Sequence, residues 1–129
     1  MFVEIAPDYA LAYANWGYAL NHLGRYESAI EVLDKALGIK EHERSFAYRA
    51  HAKAKLNRIE EAIKDYDRAL EISPNNTKVR LNRAELLADI GRKTEAYSDA
   101  LGILKREPTN PKAMRLKARL QDEMGDLGL

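Results

Sequence analysis

Small and apolar residues recur along this 129-residue chain at a step of 33 or 34 positions. The clearest series is the alanines Ala29, Ala62 and Ala96. A series of residues that favour turns recurs at the same step, as Gly24, Asn57, Gly91 and Gly125. A period of about 20–50 residues is typical of repeat arrays, in which each helical unit packs only on its neighbours. Such arrays usually present a binding surface and seldom form a catalytic pocket.

Apolar positions within each period follow two helical faces that are separated by a short turn. In the first period, Tyr9, Tyr13, Trp16 and Leu20 have the i, i+4, i+7, i+11 spacing of one helix face. Asp8 is the expected N-cap of this helix, and glycine or proline marks the end of most later ones. The pattern predicts seven helices and no strand. The first opens at Pro7-Asp8 and is ended by Gly24, and the others are at 26–39, 43–56, 59–72, 77–90, 93–106 and 111–124.

Small residues also recur where two helices are expected to cross closely, because a large side chain there would hold the backbones apart. On the first helix of each pair these residues are Gly17, Ala50 and Ala84. We expect them to face the alanine series on the second helices. The packing of each pair is therefore predicted to repeat along the chain.

Three segments of the chain resemble the tetratricopeptide repeat, whose pattern is W-x2-L-G-x2-Y, then A-x3-F-x2-A, then P. The first copy reads Tyr13-x2-Trp16-Gly17-x2-Leu20, then Ala29-x3-Leu33-x2-Ala36. The second reads Phe46-x2-Arg49-Ala50-x2-Lys53, then Ala62-x3-Tyr66-x2-Ala69, then Pro74. The third reads Arg80-x2-Arg83-Ala84-x2-Leu87, then Ala96-x3-Ala100-x2-Ile103, then Pro108. The resemblance covers nearly the whole chain.

The resemblance implies an all-α, right-handed superhelical solenoid of antiparallel helix pairs. Its expected divisions are the tail of a preceding repeat at 1–7, repeats at 8–42, 43–76 and 77–110, and a capping helix at 111–125. The first division rests on Phe2, Val3 and Ile5, which align with residues 69, 70 and 72 of the second repeat. The chain is interpreted as a segment of a longer array. The alternative is an ordinary N-terminal extension that caps the first helix.

Charged residues stand at several positions where the family commonly has leucine. They are Arg49, Arg83 and Lys117, at steps of 34 residues. We expect their aliphatic stems to pack while their charged heads reach water. The carboxylates of the helix at 59–72, among them Asp65, are expected to face outward.

Composition excludes several classes of function. The net charge of +1 gives no bulk attraction to nucleic acid or to an anionic membrane. The basic residues late in the chain are not interleaved with aromatic ones, so a nucleic-acid surface is not expected. The chain has no cysteine, which excludes disulfides and thiolate chemistry. No apolar run approaches the ~20 residues of a membrane span, and a cytoplasmic setting is the default expectation.

No arrangement of residues points to catalysis or to a cofactor. The histidines are His22, His42 and His51, and none has the partner spacing of a metal site. The stretch 91–94 resembles the end of a phosphate-binding loop, but it lacks the earlier glycine and the preceding strand. No serine, histidine and aspartate follow a nucleophile motif. We therefore expect no enzymatic activity, no cofactor and no metal.

In proteins with this repeat, the first helices line a concave wall that commonly binds a peptide or a partner helix. The residues that the resemblance places on this concave face are Leu11, Asn15, Tyr18, His22, Arg44, Tyr48, His51, Lys55, Lys78, Asn82, Glu85, Asp89, Lys112, Arg115 and Arg119. In relatives, an asparagine at the place of Asn15 and Asn82 holds the backbone of an extended peptide. An amide suits that role because it both donates and accepts hydrogen bonds.

Basic residues outnumber acidic ones on this expected wall, which predicts a protein or peptide partner that is acidic or bears a carboxylate. One subclass of the family clamps the C-terminal carboxylate of chaperones with a lysine and an asparagine. The matching first-repeat places hold Ala14 and Tyr18 here, so the chain is not assigned to that subclass.

Self-association through the exposed repeat ends is the alternative function. The apolar side chains expected at one end are Tyr13 and Trp16, and those expected at the other are Leu116, Leu120, Met124 and Leu127. Such ends would join two copies, or would dock on another part of a longer protein.

Overall fold

Seven α-helices form the part of the chain that the computed structural model describes, residues 7–125. They are α1 (Pro7–His22), α2 (Tyr26–Ile39), α3 (Glu43–Lys55), α4 (Ile59–Ile72), α5 (Thr77–Asp89), α6 (Lys93–Arg106) and α7 (Pro111–Met124). Residues 7–125 contain no strand, and the all-α helical-repeat fold predicted from the sequence is confirmed. Four helices, α2, α4, α6 and α7, begin and end where the sequence predicts.

The differences lie at helix ends. The expected N-cap Asp8 lies inside α1, which begins one residue earlier at the proline. A shift of one residue is common at this end, because the first backbone N–H groups of a helix have no partner within the helix that fixes where it starts. The prediction that residues 1–7 are the tail of an earlier repeat falls almost entirely outside the described residues.

The helices group into two compact units, one up to Pro74 with α1–α4 and one from Asn75 with α5–α7. In the first unit, each helix packs on the next, and α1 also contacts α3. In the second, α5 packs on α6, α6 on α7, and α5 also contacts α7. None of the helices within 7–125 is long and apolar enough to cross a bilayer.

The predicted turn series is confirmed by the backbone. All four of its residues have positive φ, at Gly24 (76°), Asn57 (62°), Gly91 (84°) and Gly125 (55°). In the first three turns the next backbone N–H donates to the carbonyl five residues earlier, in the pairs Arg25 to Leu20, Arg58 to Lys53 and Arg92 to Leu87, at 2.8–2.9 Å. This 6→1 bond is the mark of the Schellman helix end, which requires a left-handed residue. Glycine or asparagine is needed at each turn for that reason.

Close crossing of α1 and α2 explains the small residue at Gly17. A Cβ at Gly17 would lie 2.5 Å from Cγ of Leu33, and the Leu33 side chain is fully buried. The two helices therefore cross closely, as predicted, but the side chain nearest to Gly17 is Leu33 and not the expected Ala29. The alanines Ala29, Ala62 and Ala96 have no exposed surface.

The expectation that Arg49 points its head into water and Asp65 faces outward is wrong. Asp65 is only 4% exposed, and Arg49 donates to its two carboxylate oxygens through Nε and Nη2, both at 2.8 Å. Lys53, also buried, places Nζ 3.0 Å from the same carboxylate. Burial of these charges is tolerated because they neutralise and hydrogen-bond one another.

The same correction applies one repeat later. Arg83 donates to Asp99 through Nε at 2.9 Å and Nη2 at 2.6 Å, and Asp99 is buried. Lys117, the third member of the series, forms no ion pair with a described carboxylate. The basic residues at leucine positions in α3 and α5 are therefore half-buried and pair with buried aspartates.

The expected exposure of apolar residues at both ends is confirmed at only one of them. Trp16 is 52% exposed and Tyr9 59%, while Tyr13 is half-buried. Leu116, Leu120 and Met124 are buried in the second unit, which corrects the prediction for that end. They lie on the face of α7 that packs on α6, whereas Leu127 lies outside the described residues.

Candidate binding surface

Eight of the predicted binding residues lie on two neighbouring helices of the first unit. On α1 they are Leu11, Asn15, Tyr18 and His22, and on α3 they are Arg44, Tyr48, His51 and Lys55. Both sets have the spacing i, i+4, i+7, i+11, so each occupies one helix face. Because α1 contacts α3, we treat these eight residues together as the α1–α3 wall.

An aromatic cluster forms the middle of the α1–α3 wall. The rings of Tyr18 and Tyr48 lie 4.9 Å apart between centroids, and Tyr18 meets His22 edge-on at 4.4 Å. His51 meets Tyr26 of α2 edge-on at 6.1 Å. Tyr18 remains 43% exposed, so the cluster offers rigid aromatic surface to a ligand. Ring contacts thus join three of the predicted site residues, Tyr18, His22 and Tyr48, while His51 contacts Tyr26.

Two residues outside the prediction support this cluster. Asn21 is buried and donates from Nδ2 to the backbone carbonyl of Tyr48 at 3.0 Å, which ties α1 to α3. Tyr26 supplies the ring against His51. Sequence reasoning missed both, because Asn21 does not belong to the i, i+4 series of α1 and Tyr26 lies on a second helix.

The charge of the α1–α3 wall is positive. Arg44 and Lys55 are exposed, and neither forms an ion pair with a described residue. None of the eight wall residues is acidic. Partial burial of the imidazole lowers the pKa of His51 below its ordinary value, and the positive charge of Lys55 and of His22 lowers that pKa further.

Leu11 and Asn15 take no part in the aromatic cluster. Leu11 is half-buried and Asn15 is exposed. The Asn15 side chain forms no hydrogen bond with a described residue. Its amide is free to donate and accept, as the family resemblance requires of a peptide-holding asparagine.

The second unit carries the other predicted site residues. Asp89 and Arg119 approach within 3.6 Å, and Arg119 also donates to Glu123 at 2.8 Å. The charge of Arg119 is therefore largely compensated within the unit. The remaining predicted residues are Lys78, Glu85, Lys112 and Arg115, all exposed, and Asn82, which is half-buried. Among residues 7–125 no group of three or more potential ligands is placed to hold a metal ion.

Two family models match the chain. One, described as a TPR repeat, matches residues 50–91, and the other, described as a tetratricopeptide repeat, matches residues 10–43. Among curated proteins, sperm-associated antigen 1 of Rattus norvegicus is 31% identical over 101 residues, which is 78% of this chain and 11% of that protein. TPR repeat-containing thioredoxin TTL4 of Arabidopsis thaliana is 38% identical over 66 residues, 51% of this chain and 10% of that protein. The chain spans about a tenth of the length of these relatives.

Solved structures share the fold. The second TPR domain of human RPAP3, in complex with the HSP70 peptide SGPTIEEVD, has a TM-score of 0.81 and 26% identity. That comparison covers 90% of this chain and 98% of the RPAP3 domain. The first TPR of Spaghetti, bound to the HSP90 peptide SRMEEVD, has a TM-score of 0.86 at 21% identity, over 95% of this chain and 98% of that one. The latter likeness concerns the fold alone.

Proposed function

Since this chain belongs to the tetratricopeptide repeat family, we propose that it is a protein-interaction module that binds a peptide or a partner helix on the α1–α3 wall. The observation that carries the proposal is the Tyr18–Tyr48 pair, whose ring centroids lie 4.9 Å apart with Tyr18 exposed to solvent. Arg44 and Lys55 lie on the same face of α3 and form no ion pair with a described carboxylate. Exposed aromatic rings supply contact area at a low entropy cost, which is why they dominate many interfaces.

The related structures support a peptide as the ligand. The RPAP3 domain, which is 26% identical, is in complex with a peptide that ends in Glu-Glu-Val-Asp. An acidic ligand also matches the excess of positive charge on the α1–α3 wall, where Arg44 and Lys55 lack acidic partners among the described residues. Opposite charges favour association and orient the ligand.

The ligand's C-terminal carboxylate is not expected to be the anchor. The two first-repeat positions that hold it in chaperone-binding relatives are Ala14 and Tyr18 in this chain, and Ala14 is fully buried. Neither an alanine nor a phenol supplies a positive charge. A peptide with its C-terminus amidated should therefore bind about as well as the free acid.

The test is a binding titration with fluorescent peptides, namely SGPTIEEVD, SRMEEVD and members selected from a random peptide library. Tyr18→Ala should weaken the selected interaction by about fivefold or more. Ile72→Ala is the matched control, since Ile72 lies on α4 and its exposed fraction, 43%, equals that of Tyr18. The proposal is wrong if no peptide binds, or if both variants weaken binding equally.

Self-association is the second candidate function, and the exposure of Trp16 favours it. The residue of the second repeat that corresponds to Tyr13 is Phe46, and its side chain is only 5% exposed. In the first repeat, Trp16 and Tyr9 remain more than half exposed. Light scattering over a concentration range should then show a mass that grows with concentration and that Trp16→Ala returns to the monomer value. A constant monomer mass would exclude this function.

A further inference from the structure

Helix α7 corresponds to the first helix of a repeat, because it begins 34 residues after α5, just as α5 begins 34 residues after α3. Each of α1, α3 and α5 packs on the helix that follows it. The residues of α7 that correspond to this packing face are Met114, Lys117, Ala118 and Gln121, at the spacing i, i+3, i+4 and i+7. Helix α6 packs on α7, and we name these four residues together with Leu101 of α6 the α6–α7 face.

Residues of the α6–α7 face are exposed where their counterparts in the second repeat are buried. Met114 is 50% exposed, whereas its counterpart Phe46 is 5% exposed. The guanidinium of Arg68, on α4, lies over the Phe46 ring at 5.3 Å from the centroid. Ala118 is exposed, whereas its counterpart Ala50 has no exposed surface. Because α4 covers the counterparts, the α6–α7 face corresponds to a surface on which one further helix fits.

The described pairs also show which chemistry such a helix needs. In each pair, one residue of the first helix matches the residue 16 positions later on the second helix. These matched residues are Trp16 with Val32, Arg49 with Asp65, and Arg83 with Asp99. The first match is apolar, and in the other two the arginine donates two hydrogen bonds to the aspartate. Each aspartate follows a buried alanine, Ala62 or Ala96, by three residues. A helix that pairs with a basic first helix therefore carries an alanine and, three residues later, a carboxylate.

Lys117 occupies on α7 the place that Arg49 occupies on α3, and it forms no ion pair with a described carboxylate. Arg49 also bonds to Asp34 of the preceding helix. The residue of α6 that corresponds to Asp34 is Leu101, which is 41% exposed. This place in α6 therefore supplies no charge to Lys117. The α6–α7 face thus combines one basic group with exposed apolar surface at Leu101 and Met114, and none of its five residues is acidic.

We propose that the α6–α7 face binds one amphipathic helix of a partner protein, and that this helix carries an alanine followed three residues later by aspartate or glutamate. The small side chains of Ala118 and of the ligand alanine let the two backbones approach closely. The ligand carboxylate pairs with Lys117, and apolar side chains of the ligand cover Leu101 and Met114. This site lies outside the α1–α3 wall and does not depend on it.

The composition of the α6–α7 face suits a partner that binds reversibly. Its large apolar residues are Leu101 and Met114, and Gln121 donates from Nε2 to the hydroxyl of Tyr97 at 3.1 Å. The apolar side of α7, which includes Leu120, is already buried in the second unit. The α6–α7 face can therefore stay in water when no partner is bound. Methionine also adapts its shape readily to a ligand.

The test uses a peptide with the sequence of residues 58–74, which has the required alanine and aspartate at Ala62 and Asp65. A lactam link between Glu60 and Lys64 keeps the short peptide helical, and it lies on the side opposite to Ala62. Titration of the fluorescent peptide with the full chain measures the affinity by anisotropy. We expect saturable binding of one peptide per chain. The same peptide with Asp65→Asn should bind about fivefold or more weakly.

Variants of the protein assign the binding to the α6–α7 face. Ala118→Leu should weaken it about tenfold or more, because a large side chain there holds the two helices apart. Ala12→Leu is the matched control, since Ala12 is an exposed alanine of α1. Lys117→Ala should weaken the Asp65 peptide about fivefold and should leave the Asp65→Asn peptide within about twofold, because the two side chains act as a pair. Circular dichroism checks that each variant is folded.

The inference is overturned if the lactam peptide does not bind, or if Ala118→Leu binds it as tightly as Ala12→Leu does. It is also overturned if Lys117→Ala weakens the binding of both peptides equally. Tyr18→Ala separates this site from the α1–α3 wall and should leave the affinity for the lactam peptide within about twofold. A loss as large as that of Ala118→Leu would place the peptide on the wall and overturn the inference.

Discussion

Arg49 and Asp65 are joined by two parallel hydrogen bonds of 2.8 Å, although they lie on different helices. The remaining guanidinium nitrogen of Arg49, Nη1, donates to Asp34 on α2 at 2.8 Å. One side chain of α3 thus bonds to residues of both α2 and α4. The hydrogen bonds to Asp65 and Asp34 raise the pKa of Arg49 above its ordinary value, so the guanidinium stays charged.

Asp65→Ala should destabilise the protein strongly. The substitution removes the carboxylate that Arg49 and the buried Lys53 share. Breaking a fully buried pair costs about 3–5 kcal/mol, and we expect a loss near the lower end because Arg49 is half-buried and keeps its bond to Asp34. Urea denaturation followed by circular dichroism measures the loss. Lys64→Ala, at an exposed position of the same helix, should stay within about 0.5 kcal/mol of the parent.

Asp99→Ala should cost less than Asp65→Ala. Both aspartates accept two hydrogen bonds from an arginine, but the residue that corresponds to Lys53 in the third repeat is Leu87. Only one nearby cation therefore loses its partner. An equal loss in the two variants would show that the lysine adds nothing to the penalty.

Gly17→Ala should destabilise α1 against α2, because the added Cβ would lie 2.5 Å from Leu33. Forcing an extra carbon into a packed site costs about 1–3 kcal/mol. Gly38→Ala is the matched control, since no atom lies within 4 Å of a Cβ at that position of α2. Alanine there should stabilise the helix by about 0.5–1 kcal/mol. Thermal and urea unfolding measure the change in the free energy of unfolding for each variant. The packing argument is wrong if both substitutions change it in the same direction.

Gly91→Ala should be destabilising although it meets no other atom. Its φ of 84° is in the left-handed region, where a side chain costs about 1–2 kcal/mol. Gly91→Asn should cost less, because Asn57 occupies the equivalent turn with a φ of 62°. Urea unfolding of the two variants decides the matter, and an asparagine variant as unstable as the alanine one would contradict the explanation.

Stability should decrease as the pH falls through the range in which histidine titrates. The pKa of His51 is lowered in the folded state, so the unfolded chain binds this proton more tightly. Neutral His51 contributes fully to the free energy of unfolding at pH values above about 6.5, the ordinary pKa of histidine. This contribution is lost as the pH falls through the lower pKa that His51 has in the folded protein. Urea midpoints at pH 7.5 and 5.5 should therefore differ less in His51→Gln than in the parent. A difference of the same size in both proteins would contradict this origin.

Helix positions could be predicted from the sequence because their causes are local. The turn residues Gly24, Asn57 and Gly91 and the prolines each act within a few residues, and the apolar spacing acts along a single helix. Four helices accordingly have the predicted bounds, and the left-handed turns occur where expected. The helix faces of the α1–α3 wall are equally local, since they follow from spacing along one helix.

The ion pairs and the ring contacts join residues of different helices. A spacing rule applied along one helix does not predict them. Arg49 looked like a surface residue because its partner Asp65 lies on another helix. One signal was available, since Arg83 and Asp99 repeat the same separation of 16 residues. The spacing on each helix also did not show that Tyr18 would meet Tyr48 rather than His51.

In each helix pair, a Schellman turn ends the first helix, and its left-handed residue lies two positions before the second helix begins. Every unit of about 34 residues therefore encodes its own closure, independently of its position in the chain. A duplicated stretch of coding sequence of that length would bring its own turn with it, and the array would grow without a redesign of its neighbours. Lengthening or shortening the array by whole repeats would therefore keep each of these turns intact.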